Sequence, residues 1–285
     1  MKRSQRVRAL CFVVFAACIP APTRPPVTLT YLGVASWQID AGSATIVTDP
    51  YFTRPDLKKP IVPDPAAIAA HAPKHVDAIV IGHSHVDHLL DAPPLAIATH
   101  AQLIGSETTA RYAKAAGVPD DQLVSIKGGE DYDFGAFSIR VIPSLHSALD
   151  HKHARPHELP PDFKLPLSFD DFVEGGTFAY LIRIAGHQIL VLDTANFIER
   201  ELEGIHPDIA IIAPGLREEI YDYTCRLMHV LGEPPLVYTT HFDDWKNTPA
   251  DTADDDTKAF AAEVKRCSPH TTVVIPKHFS PMSVP

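Results

Sequence analysis

Sulfur and indole side chains are scarce in this chain, with 4 Cys, 3 Met and 2 Trp in 285 residues. So few cysteines in so long a chain do not fit a small disulfide-stapled fold. Basic charge is also short: 25 Lys and Arg against 35 Asp and Glu leave a formal net charge of −10, which argues against a protein that tracks nucleic-acid phosphates. No apolar run approaches the roughly 18 residues that a spanning helix needs, which excludes a polytopic membrane protein. Proline and glycine, 27 and 14 residues, stay well below the level of low-complexity sequence. What remains is 45% hydrophobic, enough for a full core, together with 16 histidines. Histidine is the commonest metal ligand, so its placement matters more than its number.

Lys2, Arg3, Arg6 and Arg8 precede an apolar run from Ala9 to Ala17, followed by Cys18 and a proline-rich stretch to Pro26. A basic segment before a short apolar one reads as a signal peptide over 1–17, with 18–26 as linker and 27–285 as one domain. Phe15-Ala16-Ala17-Cys18 resembles a bacterial lipobox, although the usual pattern prefers leucine where Phe15 stands. Two endings of the leader stay open: lipidation of Cys18, giving a lipid anchor to the membrane, or ordinary cleavage a few residues later. Both imply an exported, periplasmic or membrane-anchored protein; a disordered cytoplasmic tail is the third reading. Cleavage before Cys18 would remove four positive charges and take the net charge from −10 to −14. Export would leave Cys225 and Cys267 in an oxidising compartment. Both sit in helical patterns, and spacing does not decide between a disulfide and two buried thiols.

Short β-branched runs over Val27–Leu32, Ser36–Asp40 and Ala44–Thr48 predict an antiparallel meander. Further strands are expected at Ala78–Ile81, Phe137–Ile142, Thr177–Ile184, Gln188–Leu192, Ile209–Ile212, Leu236–Thr240 and Thr272–Ile275. Ser106 can cap a helix that Gly117 ends. Helical periodicity runs over Asn196–Leu202, Glu218–Leu231 and Thr257–Cys267. The mixture predicts an α/β layered domain, two sheets covered by helices. Residues 147–176 are proline-rich and aperiodic, as functional lids or disordered loops are.

Directly after the expected strand Ala78–Ile81 stands Gly82-His83-Ser84-His85-Val86-Asp87-His88. Residues i and i+2 of an extended segment face one way, so His83 and His85 can converge on one ion, while Asp87 and His88 point to a second position after the chain turns. Imidazole and carboxylate suit Zn, Fe or Mn, and the lack of nearby cysteine disfavours a closed structural zinc site.

This H-x-H-x-D-H arrangement resembles the metallo-β-lactamase-fold hydrolase superfamily. The family's ordered set has matches at Thr48-Asp49-Pro50, Ser144-Leu145-His146, Leu192-Asp193-Thr194 and Thr240-His241, each at the end of an expected strand. The resemblance implies an αββα sandwich: two mixed sheets packed face to face, with helices on both outer faces. It also implies that His83, His85 and His146 hold one divalent ion and that Asp87, His88 and His241 hold the other. Asp193 bridges the two, and Asp49 stands behind the ligands and orients one of them. Two ions, zinc in the first place and Mn or Fe as alternatives, would activate a bridging hydroxide for hydrolysis, with Asp87 aligning it.

Thr30-Tyr31-Leu32-Gly33 and Ile46-Val47-Thr48-Asp49-Pro50 are similar to the broad subgroup containing the ascorbate phosphate lactonases, and more distantly to phospholipase D enzymes of N-acyl-phosphatidylethanolamine. Asp193 stands where many true β-lactamases carry cysteine, which points to phosphodiester, lactone or thioester hydrolysis in a small or lipid-like substrate. A single-iron sulfur dioxygenase and a non-catalytic periplasmic metal-binding protein are the alternatives. His151 and His153, with His157, are expected either to contact substrate from a lid or to form an exposed loop. Trp245 is expected either at the pocket mouth or in the core. The other histidines read as structural or solvated.

Overall fold

The computed structural model describes residues 25–149, 158–246 and 255–284. The segment expected to be a leader, with Cys18, and His151, His153 and His157 lie outside the described residues. Among the described residues the strands form two seven-stranded sheets. The first holds β1 (Val27–Gly33), β2 (Ser36–Asp40), β3 (Thr45–Thr48), β4 (Ala78–Val80), β5 (Gln102–Ser106) and β6 (Leu123–Ile126) in that order. The second holds β7 (Asp131–Asp133), β8 (Phe137–Pro143), β9 (Phe178–Ile184), β10 (His187–Leu192), β11 (Ile209–Ile212), β12 (Leu236–Thr239) and β13 (Thr272–Val274). A last strand, β14 (Met282–Val284), pairs antiparallel with β1. The helices are α1 (Pro65–His71), α2 (Val86–Leu89), α3 (Ala92–Thr99), α4 (Glu107–Ala115), α5 (Glu199–Leu202), α6 (Tyr223–Val230) and α7 (Asp255–Cys267). None of the described helices is long and apolar enough to cross a membrane.

The near-continuous apolar runs follow from burial on both faces. In β9, Phe178, Tyr180, Ile182 and Ile184 enter the core between the sheets, while Ala179 and Leu181 pack outward under the helices. β10 and β11 divide likewise: Ile189, Val191, Ile209 and Ile211 point in, and Leu190, Leu192, Ala210 and Ile212 meet α6 and α7 residues such as Leu227 and Phe260. In β4, Ala78 and Val80 face the central core, whereas Ile79 joins the outer layer with Leu95 and Tyr112 of α3 and α4. Each fully buried Ile, Leu or Val side chain is worth about 1.5–3 kcal/mol, so this alternation determines which face each strand presents. The architecture is the expected αββα sandwich.

The predicted meander forms, with β1–β2 and β2–β3 antiparallel. The β9–β10 turn places Ala185 and Gly186 at φ 50° and 80°, the two positive values that a tight hairpin requires. Ser106 caps α4 by accepting from the Thr109 amide at 3.1 Å, and Gly117 follows the helix at φ 96°. The helix expected over Glu218–Leu231 is corrected. A 3₁₀ turn over Arg217–Glu219 comes first, Asp222 takes a left-handed conformation at φ 44°, and α6 begins only at Tyr223. Arg217, paired with Asp256 and Glu263 of α7, pins that first turn independently. The helix expected over Asn196–Leu202 shortens to α5, because Asn196 turns its side chain to the His146 carbonyl.

Cys225 and Cys267 form a disulfide that ties α6 to the end of α7 across 42 residues. Closing a loop of that length removes entropy from the unfolded chain, worth about 2–4 kcal/mol. Replacing both cysteines with serine is therefore expected to lower unfolding free energy by about that amount. Denaturant melts read with and without reductant check this, since only the parent protein should respond to reduction.

Candidate metal centre

Parallel pairing brings distant polar residues to one edge of the sandwich. β3 pairs with β4 so that Thr48 lies beside Val80, and β10, β11 and β12 align Leu192, Ile212 and Thr239. The residues that follow these strands, Asp49, His83, Asp193 and His241, therefore emerge together. His146 arrives from β8, whose end pairs with the start of β9.

Backbone contacts hold each of these residues. The Asp49 amide donates to the Val80 carbonyl at 3.0 Å, and Asp49 Oδ1 accepts from the Gly82 amide at 2.8 Å. Between His83 and His85, the Ser84 amide donates to the Glu174 carbonyl at 2.8 Å, and its hydroxyl lies 2.8 Å from that of Thr109. His85 occupies the N-cap position of α2, whose first turn carries Asp87 and His88 back towards the same point. Beyond β12, the His241 amide donates to the Val34 carbonyl at 2.6 Å with His241 at φ 53°. Asp243 secures this turn by accepting from the Tyr31 hydroxyl at 2.6 Å and the Val34 amide at 2.8 Å, and it lies 2.9 Å from His278 Nε2. Gly33 stands beside this turn at φ 110°, a backbone conformation that residues with a Cβ rarely adopt.

The donors form three overlapping groups: His83, His85 and His146; His83, His88 and Asp193; and Asp87, His88 and His241, with donor atoms inside each group within 4.8 Å of one another. The Nε2 atoms of His83 and His146 face each other at 3.2 Å. Asp193 Oδ2 lies 2.9 Å from His83 Nδ1 and 3.2 Å from His88 Nδ1, and His241 Nε2 lies 3.2 Å from Asp87 Oδ2. Asp49 Oδ1 sits 3.3 Å from His88 Nδ1, so it reaches the site through that imidazole.

Cations fit this arrangement. Both ring nitrogens of His88 and Oδ1 of Asp193 are buried without an aligned hydrogen-bond partner. Each such atom costs about 1–3 kcal/mol when left unpaired, and these converge where imidazole and carboxylate donors suit Zn, Mn or Fe. Burial and the neighbouring His88 hold His83 well below the usual imidazole range, and burial with His146 holds His85 down to about 4. Burial opposes ionisation of Asp87, yet His88 and His241 keep it far below the carboxylate range; Asp193 behaves likewise beside His83 and His88. Burial and the Asp193 charge push Asp49 up to about 6. His88, surrounded by three carboxylates, is raised despite its burial. Neutral His83 and His85 beside ionised Asp87 and Asp193 are in the protonation states that metal binding needs, whereas His88 holds a proton that a cation would have to displace.

The donors line a cavity of about 620 Å³, in the range of small-molecule sites. Its other walls include Val86, Leu149, Phe169, Phe172, Leu216 and Trp245. Trp245 stacks on Phe169 with centroids 5.7 Å apart and also packs against the outer core of the first sheet. Phe169 and Phe172 flank a 3₁₀ turn inside the stretch that the sequence leaves aperiodic. The signal for them was an apolar pair within a polar, proline-rich segment. Leu216 left no comparable trace.

Residues 28–212 match the family described as the beta-lactamase superfamily domain. A "UPF0173 metal-dependent hydrolase" from Heliobacterium modesticaldum is 32% identical over 121 residues, 42% of this chain and 45% of that protein, so the chain spans under half of that relative's length. Among solved structures, Igni18, a metallo hydrolase from Ignicoccus hospitalis, superposes with TM-score 0.64 at 18% identity, covering 91% of this chain and 99% of that one. CmlA, a diiron β-hydroxylase from Streptomyces venezuelae, superposes with TM-score 0.61 at 16% identity over 93% of this chain and 55% of its own. At such identities the two structures establish a shared fold.

Proposed function

We propose that this chain, which belongs to the beta-lactamase superfamily, is a metal-dependent hydrolase with two ions that cleaves an ester-type bond with activated water. The observation that carries this reading is the overlap of three donor groups through His83 and His88, which supports two adjoining cation positions with Asp193 between them. His83, His85 and His146 would hold one ion and Asp87, His88 and His241 the other, with zinc the best match to the donors and Mn or Fe next. When bound, such a pair lowers the pKa of a shared water towards about 7 and acts as a Lewis acid on the scissile group.

The chain's own residues do the rest. Asp87 lines the cavity, stays ionised, and can accept the O–H of an attacking water, fixing its direction. Asp49, 3.3 Å from His88 Nδ1, would orient that ring once His88 binds an ion, as partners behind metal-bound histidines do. Val86, Phe172 and their apolar neighbours keep bulk water from the reacting groups. Asp193, in place of the cysteine of many β-lactamases, favours a phosphodiester, lactone or thioester over a β-lactam. The acidic charge of the chain speaks against nucleic-acid substrates. The basic and apolar leader supports export, with Cys18 as lipid anchor or with simple cleavage, which mass spectrometry of the mature N-terminus decides.

Metal analysis coupled to a panel of phosphodiesters, lactones, thioesters and β-lactams tests the function. Two zinc or manganese ions per chain with turnover of an ester-type substrate is the expected result. One iron per chain without hydrolysis would instead indicate the single-iron dioxygenase, and bound metal without turnover a metal-binding protein. Asp243→Ala supplies a second check. Loss of the Tyr31, Val34 and His278 contacts frees the His241 turn, so metal content should fall from two towards one per chain, with kcat/KM about 10–100-fold lower. Unchanged metal content in that variant would show that the turn holds His241 without Asp243.

A further inference from the structure

The cavity combines metal-ligand donors at its base with an apolar wall built from separate segments. Val86 comes from α2, Leu149 from the chain beyond β8, Phe169 and Phe172 from the 3₁₀ turn, Leu216 from the chain after β11, and Trp245 from the chain after β12. Phe169 and Leu216 remain 36% and 37% exposed while lining it, so large apolar surface is left unpartnered at this site. Isolated exposed apolar residues are ordinary, but a contiguous group in a concave site marks a binding surface. The stacked Phe169 and Trp245 rings, with centroids 5.7 Å apart, join two of these segments.

Charge on the cavity's own lining has one sign, with the ammonium of Lys246 placed 5.0 Å from the Trp245 ring centroid and not among the lining side chains. Among the described residues no lysine or arginine lines the cavity, and the charged side chain there beyond the metal-ligand donors is Asp170. A phosphoester carries fixed negative charge that is ordinarily met by Arg or Lys in bidentate or point-charge contact, and Asp170 would oppose it. A neutral acyl group meets no such opposition, and an alkyl chain attached to it gains from every methylene placed on the aromatic and aliphatic wall.

We propose that the site takes an uncharged acyl compound with an apolar chain, a carboxylic ester, thioester or lactone, in which the carbonyl faces the His and Asp donors and the chain lies against Phe169, Phe172, Leu216 and Trp245. This rests on the hydrolase reading and narrows it by excluding phosphoesters. In the reaction, water adds to the acyl carbon, the bond from that carbon to oxygen or sulfur breaks, one proton of the water passes to the leaving atom, and a carboxylic acid and an alcohol or thiol result.

Two measurements on the full, metal-loaded protein test it. The first compares 4-nitrophenyl esters from acetyl to octanoyl with bis(4-nitrophenyl) phosphate and 4-nitrophenyl phosphate. kcat/KM is expected to rise about thirtyfold or more from acetyl to octanoyl and to exceed both phosphates. The octanoyl-to-acetyl ratio should fall about tenfold in Phe169→Ala, which removes one aromatic side chain from the wall. Phosphoester turnover above every acyl ester, with a flat chain-length series, would overturn the substrate class and leave the hydrolase reading standing. The second measurement needs no turnover. Trp37 is fully buried and Trp245 lines the cavity, so tryptophan emission titrated with 1-octanol or with phenyl phosphate reports occupancy at Trp245. A saturable change with octanol that is lost in Trp245→Phe is expected. A response to phenyl phosphate alone, or none to octanol, would overturn the proposal even if no substrate in the panel were hydrolysed.

Discussion

Replacement of His83 with alanine is expected to remove activity and most bound metal together. His83 belongs to two of the three donor groups, facing His146 through Nε2 at 3.2 Å and Asp193 through Nδ1 at 2.9 Å. Its loss therefore breaks the His83–His85–His146 position and frees Asp193, which is otherwise held by His83 and His88. Partners that act only through a ligand are worth about 10–100-fold, so loss of a shared donor should lower kcat/KM by about a thousandfold or more. Elemental analysis and kinetics on the same preparation read both effects, and a melting curve reports whether the fold persists. Full activity with undiminished metal would remove His83 from the centre and, with it, the assignment of the site.

Gly82→Ala is expected to do comparable damage without touching a donor. A Cβ on Gly82 would run into the carboxylate of Asp193 from 111 positions further along the chain. Neither side can yield. The Gly82 amide is bonded to Asp49 and its carbonyl accepts from Phe178, while Asp193 follows directly on β10. Overpacking a site of this kind costs about 1–3 kcal/mol of stability, and here the strain falls on the carboxylate that His83 and His88 share. Lower thermal stability and metal content well below the parent are the expected readings. A variant that binds metal like the parent would mean that Asp193 can stand elsewhere without loss.

Much of this centre was legible along the chain because its chemistry is local at each strand end. His83, His85, Asp87 and His88 crowd into six residues after a buried apolar run, whereas Asp49, His146, Asp193 and His241, each after another strand, stood out through the resemblance to a known family. The apolar runs were legible for the same reason: a strand buried on both faces has few polar positions with which to hide its nature. Where sequence patterns failed, partners outside the segment made the decision. β7 is Asp131-Tyr132-Asp133, a strand because β8 and its loop pair with it rather than because its residues prefer extension. β14 extends the first sheet only because β1 leaves an edge free at Val27–Leu29. The interrupted helix before α6 depends on Arg217, whose carboxylate partners lie about forty residues away on α7.

The amino-acid sequence by itself determined the cluster of His83, His85, Asp87 and His88 after a buried strand and the layered α/β class of fold, and its resemblance to a known family singled out Asp49, His146, Asp193 and His241. Residue type and short-range period carry the first two before the chain folds. Tertiary structure alone decided which donors share a position, because the distance from His83 to Asp193 or from Asp87 to His241 is set by strand pairing and not by sequence separation. It also decided that Cys225 meets Cys267 and that Asp243 locks the turn bearing His241. The last thing it decided was the cavity wall. Phe169, Leu216 and Trp245 come from three separate loops, and only packed sheets could gather them around the histidines that the sequence had already placed in order.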